Sequence, residues 1–289
     1  MNTIYHFSGA GNDFVVIDGR EGDVSAFREV SRIQALCKEY KTDGLMILGQ
    51  EMPGQAGHDG GSKDVMADPD RPSVDFVMEF YNPDGSGGMM CGNGGRCIVA
   101  FADFLGIKPA AVERTAEGVT AAPGVYLFRA PDGLHTGEIL ARPEEGLWEV
   151  RIKMIDVQGI TPMLGGYFLN TGTRHFVKFV DDVEQVDIDT EGKALRWNEA
   201  FAPVGTNVNF VHVAPDGLHV RTFEKGVEGE TLACGTGLTA SAIAAYYIGK
   251  PDSRLRARQD WLSVNFTPGA DEKFTDVYLT GPARLLEIL

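Results

Sequence analysis

The chain has 289 residues, 43% hydrophobic and 23% charged, a composition that is ordinary for a globular protein long enough for two domains. Its formal net charge is −15, and no cluster of Lys and Arg resembles a phosphate-binding surface, which argues against a nucleic-acid partner. With nucleic acid disfavoured, a small solute is the expected ligand. No apolar run approaches the ~20 residues of a membrane-spanning helix, so we expect a soluble protein.

The first half of the chain is predicted to alternate strands and helices. Its N-terminus has neither a basic region nor a long apolar segment, so we expect a cytoplasmic protein. A long stretch rich in Gly, Pro and Asp, residues 50–73, predicts an exposed mobile loop. The predicted elements are a strand, Gly turn and strand over 4–18, a helix over 30–37, strands at 45–48 and 75–81, and a helix over 95–106.

The second half repeats this plan. Residues 170–175 form a polar, glycine-containing segment before an apolar strand, as residues 8–13 do in the first half. The predicted elements are strands around Ile139 and at 148–155, 167–169, 176–180, 206–213 and 219–223, a helix over 238–248, and final strands at 261–266, 274–279 and 284–289. We therefore predict duplicated domains at 1–134 and 135–274, with the C-terminal strand 275–289 returning to the first.

Two short motifs, half a chain apart, carry the functional signal. Cys91-Gly92-Asn93-Gly94 and Cys234-Gly235-Thr236-Gly237 each open a predicted helix after a strand and turn. Inverting a carbon centre without a cofactor requires a base on one face and an acid on the other. A thiol with a pKa of ~8.5 serves in either role, and the N–H groups that open a helix bind carboxylates. The repeated motif predicts two cysteines on opposite sides of one substrate.

Core packing is the competing interpretation for each cysteine. Cys37 and Cys97 lie within apolar helical runs, and we expect both to be inert core residues. Packing alone gives no reason to repeat Cys-Gly-x-Gly, so chemistry is favoured for Cys91 and Cys234. Neither CxxC nor HExxH occurs, and no metal site is predicted.

The chain resembles the diaminopimelate epimerase family over nearly its whole length. The resemblance rests on segments 8–14, 80–86, 91–97, 207–210 and 224–237. It implies a mixed α/β (α+β) fold of two pseudo-symmetric domains, each a mostly antiparallel sheet wrapped around a central helix, with the active site in the interdomain cleft. It also implies cofactor-independent interconversion of LL- and meso-diaminopimelate for lysine and cell-wall synthesis, often by a homodimer.

The resemblance also assigns site residues. Cys91 and Cys234 match the catalytic pair, with His175 and Glu224 as polar helpers beside the reacting centre. The matches to carboxylate-binding backbone are Gly92, Asn93, Gly235 and Thr236, and the matches to substrate-binding side chains are Asn12, Asn82 and Asn207. Three further substrate-binding positions depart from the usual residue: Gly44 replaces the Gln of some members, Thr173 replaces Asn, and Lys225 replaces Arg.

Three other functions compete with this one. Proline and hydroxyproline racemases share the two-cysteine mechanism, but they usually have His after the first Cys-Gly, where this chain has Asn93. Related isomerases without the cysteine pair are disfavoured by the presence of both Cys91 and Cys234. The alternative from a different class is a non-catalytic amino-acid-binding or thiol-redox protein.

Overall fold

The structure, a computed structural model, describes residues 2–50, 73–88, 90–109 and 124–289. The chain divides into two compact units, residues 1–152 with 283–289 (unit 1) and residues 153–282 (unit 2). No helix in the described ranges is long and apolar enough to cross a membrane. The predicted loop at 50–73 lies almost wholly outside the described residues.

In both units, more of the described residues lie in strands than in helices. The helices are α1 (Val30–Tyr40), α2 (Gly92–Phe104), α3 (Lys193–Arg196) and α4 (Gly235–Tyr247). The strands of the first part of the chain are β1 (Ile4–Gly9), β2 (Asn12–Asp18), β3 (Gly44–Gly49), β4 (Phe76–Tyr81), β5 (Val125–Ala130), β6 (Gly133–Glu144) and β7 (Leu147–Lys153). Those that follow are β8 (Ile160–Met163), β9 (Gly166–Asn170), β10 (Arg174–Phe179), β11 (Asn207–Ala214), β12 (Gly217–Glu224), β13 (Gly229–Thr231), β14 (Arg254–Arg256), β15 (Trp261–Pro268) and β16 (Phe274–Ile288).

Unit 1 is a sheet in the order β1 to β7, with residues 284–288 of β16 paired to the free side of β1. The β2–β3 and β4–β5 pairs are parallel, and the β1–β2, β3–β4, β5–β6 and β6–β7 pairs are antiparallel. Helix α2 packs against β1, β2, β3 and β6, and its residues from Gly92 to Ala102 are all buried. A helix that is enclosed on every side needs an apolar sequence all round, which the run Ile98–Phe101 supplies.

Helix α1 differs from α2 because only one of its faces is buried. Ile33, Leu36 and Cys37 are buried against Val15, Ile17, Leu45 and Ile47 of the sheet. Tyr40 is partly buried against the same core, and the other positions face solvent, as expected for an amphipathic helix on the outside of a sheet.

Unit 2 has the sheet order β8-β9-β10-β11-β12-β14-β15-β16, with β13 also paired to β12. Its parallel pairs are β10–β11 and β12–β14. Helix α4 packs against β9, β10, β11, β12 and β15 and is buried along most of its length. It occupies in unit 2 the place that α2 occupies in unit 1.

The two units have the same topology. Taking β9, β10, β11, β12, β14, β15 and β16 in unit 2 as counterparts of β1 to β7, the sequence of parallel and antiparallel pairs is identical. In each unit a further antiparallel strand, residues 284–288 or β8, flanks the first member. The repeat inferred from the sequence is thus present at the level of strand pairing.

The chain leaves unit 1 later than expected. The predicted boundary after residue 134 falls inside β6, which pairs with both β5 and β7 and so keeps the chain in unit 1 through Ile152. The two predicted final strands are one long strand, β16, of which residues 284–288 pair with β1. Strands β5, β8, β13 and β14 were not predicted. That the two units are epimerase domains with a substrate cleft between them stays a prediction.

Candidate active site

Cys91 is the N-cap residue of α2. Its backbone is extended, and its sulfur accepts a hydrogen bond from the N–H of Gly94 at 3.1 Å. The side chain thus takes the position that Ser or Asp usually occupies at a helix N-terminus, where an acceptor satisfies one of the unpaired N–H groups. The first motif therefore places a partly buried sulfur at the positive end of a buried helix.

Asn93, in the first turn of α2, belongs to a buried polar cluster. The guanidinium of buried Arg96 donates to Oδ1 of Asn93 at 2.9 Å and to the carbonyl of Gly92 at 3.3 Å. Because a guanidinium only donates, the amide nitrogen of Asn93 must face Asn12, whose Oδ1 accepts its hydrogen bond. The structure therefore brings together three of the predicted residues, Asn12, Gly92 and Asn93, beside Cys91.

Asn82 and Gly44 lie at other points of the unit 1 sheet. The Asn82 side chain bonds within its own turn, donating to Oγ of Ser86 at 3.0 Å. Gly44 is buried, and a Cβ atom there would lie 2.8 Å from the carbonyl oxygen of Tyr81. The position has no room for the Gln found in some family members, which explains why glycine stands here.

Cys234 is the N-cap residue of α4 and is 8% exposed. Unlike Cys91, it makes no side-chain capping bond to its helix. Its sulfur instead lies 3.5 Å from the hydroxyl oxygen of Thr236. The same hydroxyl oxygen lies 2.9 Å from Nε2 of His175 and 3.3 Å from Oγ1 of Thr173. The second motif is thus linked to two other predicted residues, His175 and Thr173.

His175 is fully buried on β10. Burial lowers its pKa to about 3, because an imidazolium would lose its hydration, so the ring is neutral at physiological pH. Its Nε2 lies 2.9 Å from the hydroxyl of Thr173 as well as that of Thr236, and its Nδ1 lies 3.0 Å from the amide nitrogen of Asn209. A neutral, fully hydrogen-bonded imidazole is poorly suited to take a thiol proton.

The side-chain amide of Asn207 makes three hydrogen bonds within the protein. Its amide nitrogen donates to Oγ1 of Thr173 at 3.2 Å and to the carbonyl of Arg174 at 3.0 Å. Its Oδ1 accepts from the backbone N–H of Lys225 at 2.8 Å, and the Lys225 side chain is exposed. Both amide protons are therefore committed within the protein, and one lone pair of Oδ1 is left over for a ligand.

Glu224 ends β12 and is partly buried. Its Oε2 accepts a hydrogen bond from the hydroxyl of Thr231 on the neighbouring strand β13 at 2.9 Å. The carboxylate is thus oriented by its own sheet.

Sequence reasoning missed Asn209 as a site residue. This side chain is fully buried and contacts His175 and Phe176 with its nitrogen, while its Oδ1 accepts from Thr222 at 2.9 Å. A signal was present, because Asn207 and Asn209 are two apart on one strand and so point to the same face. A buried polar pair on the same face as a predicted site residue is itself a sign of a shared network.

The other two cysteines are buried, as predicted. Cys37 belongs to the core under α1, and burial raises the pKa of its thiol. Cys97 is completely buried in α2, and burial strongly raises its pKa as well. Neither thiol is therefore ionised near neutral pH, and the prediction that both are core residues is confirmed. Within the described ranges, no group of three or more His, Cys, Asp or Glu side chains is arranged to hold a metal ion.

Several named proteins are similar to this chain. The family model described as diaminopimelate epimerase matches residues 167–286. The diaminopimelate epimerase of Chlorobaculum tepidum is 35% identical over 286 residues, which cover 96% of this chain and 96% of that protein. That of Aquifex aeolicus is 39% identical and covers 96% of this chain and 93% of its own length. Among solved structures, a probable proline racemase from Agrobacterium radiobacter K84 superposes with a TM-score of 0.61 at 15% identity, covering 100% of this chain and 92% of that one, which is a likeness of fold alone.

Proposed function

The chain belongs to the diaminopimelate epimerase family, and on that premise we propose that it interconverts LL- and meso-2,6-diaminopimelate. The family consists of isomerases acting on amino acids, and the proposed reaction serves lysine and peptidoglycan synthesis in the cytoplasm. The observation that carries the proposal is that both Cys-Gly-x-Gly motifs begin the buried central helix of their unit. The chain that contains them matches a diaminopimelate epimerase over 96% of its length.

The proposed chemistry uses Cys91 and Cys234 as two bases. One thiolate takes the α-proton, so that an S–H bond forms as the C–H bond breaks and the electron pair remains on the α-carbon and its carboxylate. The opposite thiol then gives its proton to the other face of that carbon, and the configuration is inverted. The two cysteines exchange protonation states in each turnover, which suits a reaction that runs in both directions.

Backbone donors supply the binding of the substrate carboxylate. The first N–H groups of a helix have no carbonyl partner in their own helix, and they lie at the positive end of its dipole. We assign this role to the N–H groups of Gly92, Asn93, Gly235 and Thr236. Hydrogen bonds to the carboxylate also stabilise the negative charge that develops on it as the α-proton leaves.

Side chains hold the rest of the substrate in this proposal. Glu224 pairs with the ammonium group beside the reacting carbon. The remaining lone pair of Asn207 Oδ1 accepts a hydrogen bond from an ammonium N–H of the substrate. Asn12 has its nitrogen directed away from Asn93 and is assigned as a donor. His175 assists Cys234 as a neutral hydrogen-bonding group. The distal amino-acid end is assigned to Asn82, Gly44, Thr173 and Lys225.

The test of the proposal is isotope uptake during epimerisation. LL-diaminopimelate is incubated with the enzyme in D2O, without pyridoxal phosphate or added metal, and the product is analysed by NMR. Because a thiol proton exchanges with solvent, we expect deuterium at the α-carbon of the meso product. A meso product without deuterium at that carbon rejects the two-thiol mechanism, and no turnover at all rejects the substrate. Parallel assays with proline and hydroxyproline test the racemase alternative.

Cysteine variants test the assigned residues. Replacing Cys91 or Cys234 with Ala is expected to abolish epimerisation, because either change removes the only acid or base on one face of the substrate. Cys37→Ala is the matched control, since Cys37 lies in the core under α1, and it is expected to keep activity. Full activity in a Cys91 or Cys234 variant removes that residue from its role. Size-exclusion chromatography with light scattering tests the predicted homodimer.

A further inference from the structure

We propose that Asn209 is a positioning residue that fixes the tautomer of His175, so that a chain of hydrogen-bond donors runs from the imidazole through the Thr236 hydroxyl to the sulfur of Cys234. The inference rests on the proposed function for the role of Cys234. It assigns His175 the part of a donor that stabilises a thiolate, in place of a base that accepts the thiol proton.

The orientation of the Asn209 amide follows from its neighbours. Its Oδ1 lies 2.9 Å from the hydroxyl of Thr222, and its nitrogen lies 3.3 Å from the carbonyl oxygen of Phe176. Since a carbonyl only accepts, the amide group facing Phe176 must be the NH2, and its second proton points to Nδ1 of His175 at 3.0 Å. Nδ1 therefore accepts, and the single proton of the neutral ring resides on Nε2.

The direction of the remaining hydrogen bonds follows from that proton. The single Nε2–H lies between the hydroxyl oxygens of Thr173 and Thr236, each 2.9 Å away, and is shared by them as a bifurcated hydrogen bond. The oxygen of Thr173 also accepts a hydrogen bond from the Asn207 amide, and the hydroxyl of Thr173 can in turn donate to Thr236 at 3.3 Å. Thr236 accepts from both groups, and its own proton is left to point at Sγ of Cys234, 3.5 Å away.

A donor aimed at the sulfur favours the thiolate over the thiol. A hydrogen bond to an ionised acceptor is about twice as strong as a bond between neutral groups. Were the His175 proton on Nδ1 instead, Nε2 would accept from Thr236 and turn the hydroxyl proton away from the sulfur. The burial of His175 keeps the ring neutral, so the choice between these two arrangements depends on Asn209.

Gly237 supplies the space for Asn209. A Cβ atom at Gly237 would collide with Oδ1 of Asn209, so the last residue of the second Cys-Gly-x-Gly motif must lack a side chain for Asn209 to sit against α4. Three residues of the motif therefore take part. Cys234 and Thr236 form the end of the chain of donors, and Gly237 leaves space for Asn209, which sets its direction.

The first test is the tautomer of His175 in the unmodified protein. Two-dimensional 15N–1H NMR correlates ring nitrogens with ring protons, and the His175→Gln variant assigns the signals. We expect a protonated Nε2 and an unprotonated Nδ1. In Asn209→Asp the carboxylate only accepts, so Nδ1 is expected to become protonated. A proton on Nδ1 in the wild-type protein overturns the proposal, whatever the fate of the variant.

The second test measures the reactivity of Cys234 in the substrate-free enzyme. The rate of alkylation by iodoacetamide is followed against pH by peptide mass spectrometry, with Cys91 as the reference in the same sample. In Thr236→Ala we expect Cys234 to be alkylated about tenfold more slowly at neutral pH, which corresponds to a rise of about one pH unit in the midpoint of its rate profile. The alkylation rate of Cys91 should not change. Thr236→Ser should restore the rate.

Ser241→Ala is the matched control, because it removes another buried hydroxyl of α4, one that bonds the carbonyl of Gly237. Its Cys234 is expected to react as in the wild type. Equal rates in Thr236→Ala and wild type overturn the proposal, as does failure of Thr236→Ser to restore the rate. Because neither test uses diaminopimelate, a chain that fails to epimerise it can still show the donor chain, and an active epimerase can still lack it.

Discussion

At the scale of single residues, the environment of His175 shows how burial decides the behaviour of a titratable group. The sequence places a histidine after a glycine turn, which is consistent with a surface, a core or a catalytic role. The fold encloses it completely and surrounds it with two hydroxyls and an amide. Its pKa falls to about 3 because charging the ring would require desolvating an imidazolium.

This shift predicts how stability depends on pH. In the unfolded chain His175 titrates near 6.5, whereas in the folded protein it remains neutral down to about 3, so the unfolded state binds the extra proton between these values. The contribution of His175 to the free energy of unfolding should therefore be complete above about pH 6.5. Below that pH, the free energy of unfolding should fall by roughly 1 kcal/mol for each pH unit. Urea unfolding at several pH values, compared between wild type and His175→Gln, measures the difference in slope.

The control is His219→Gln, which removes a partly exposed imidazole that contacts Asp216 and leaves His175 in place. The loss of stability that is assigned to His175 should persist in this variant. If His175→Gln has the same slope as the wild type, His175 is protonated in the folded protein and the account of its environment is wrong.

The residues beside His175 show what the sequence could and could not predict. The family resemblance assigned Cys234, Thr236 and His175 to one site. It did not predict the contacts between them, because those contacts join β10 to α4 across more than 60 residues of chain. Asn209 was recognisable only as a polar residue two positions after Asn207. Its partners on β10 and β12 depend on strand register, which a single sequence does not specify.

At the scale of the elements, the two central helices begin in different ways. Both were predicted from glycines followed by an apolar run, and both start at the glycine after the cysteine. The sulfur of Cys91 caps α2 by accepting from Gly94, whereas Cys234 makes no such bond to α4. The difference could not be read from two nearly identical motifs, because it depends on where each sulfur turns.

The difference predicts unequal effects of replacing the cysteines. Cys91→Ser keeps an acceptor at the N-cap, while Cys91→Ala removes it, so Ala should be less stable than Ser by about 1 kcal/mol. At position 234 the gap between Ser and Ala should be smaller, since no capping bond is lost there. Urea unfolding of the four variants measures both gaps. Equal gaps at the two positions would show that the sulfur of Cys91 does not act as a cap.

At the scale of the whole molecule, the strand pairing repeats although the sequence does so only in short motifs. The glycine turns and cysteine motifs were enough to predict a duplication, because each marks the same place in the shared topology. The boundary was misplaced because β6 and β7 follow a Pro-Asp-Gly turn that resembles a linker but joins two paired strands. The return of the C-terminus to unit 1 was anticipated, and its pairing with β1 sets residues 284–288 against Tyr5 to Ser8.

That pairing predicts a local effect of shortening the chain. Ending it after Pro282 removes the strand beside β1 and leaves the backbone of β1 without strand partners on that side. Hydrogen exchange followed by mass spectrometry should show faster exchange in Ile4–Gly9 of the shortened chain. The counterpart strand β9 keeps its neighbour β8 and should exchange as in the full chain. As a second control, removal of Leu289 alone preserves the pairing from Tyr5 to Ile288 and should change exchange in β1 little. Unchanged protection of β1 after the longer truncation would show that residues 283–289 do not stabilise β1. Equal loss of protection in β9 would show that the effect is not confined to unit 1.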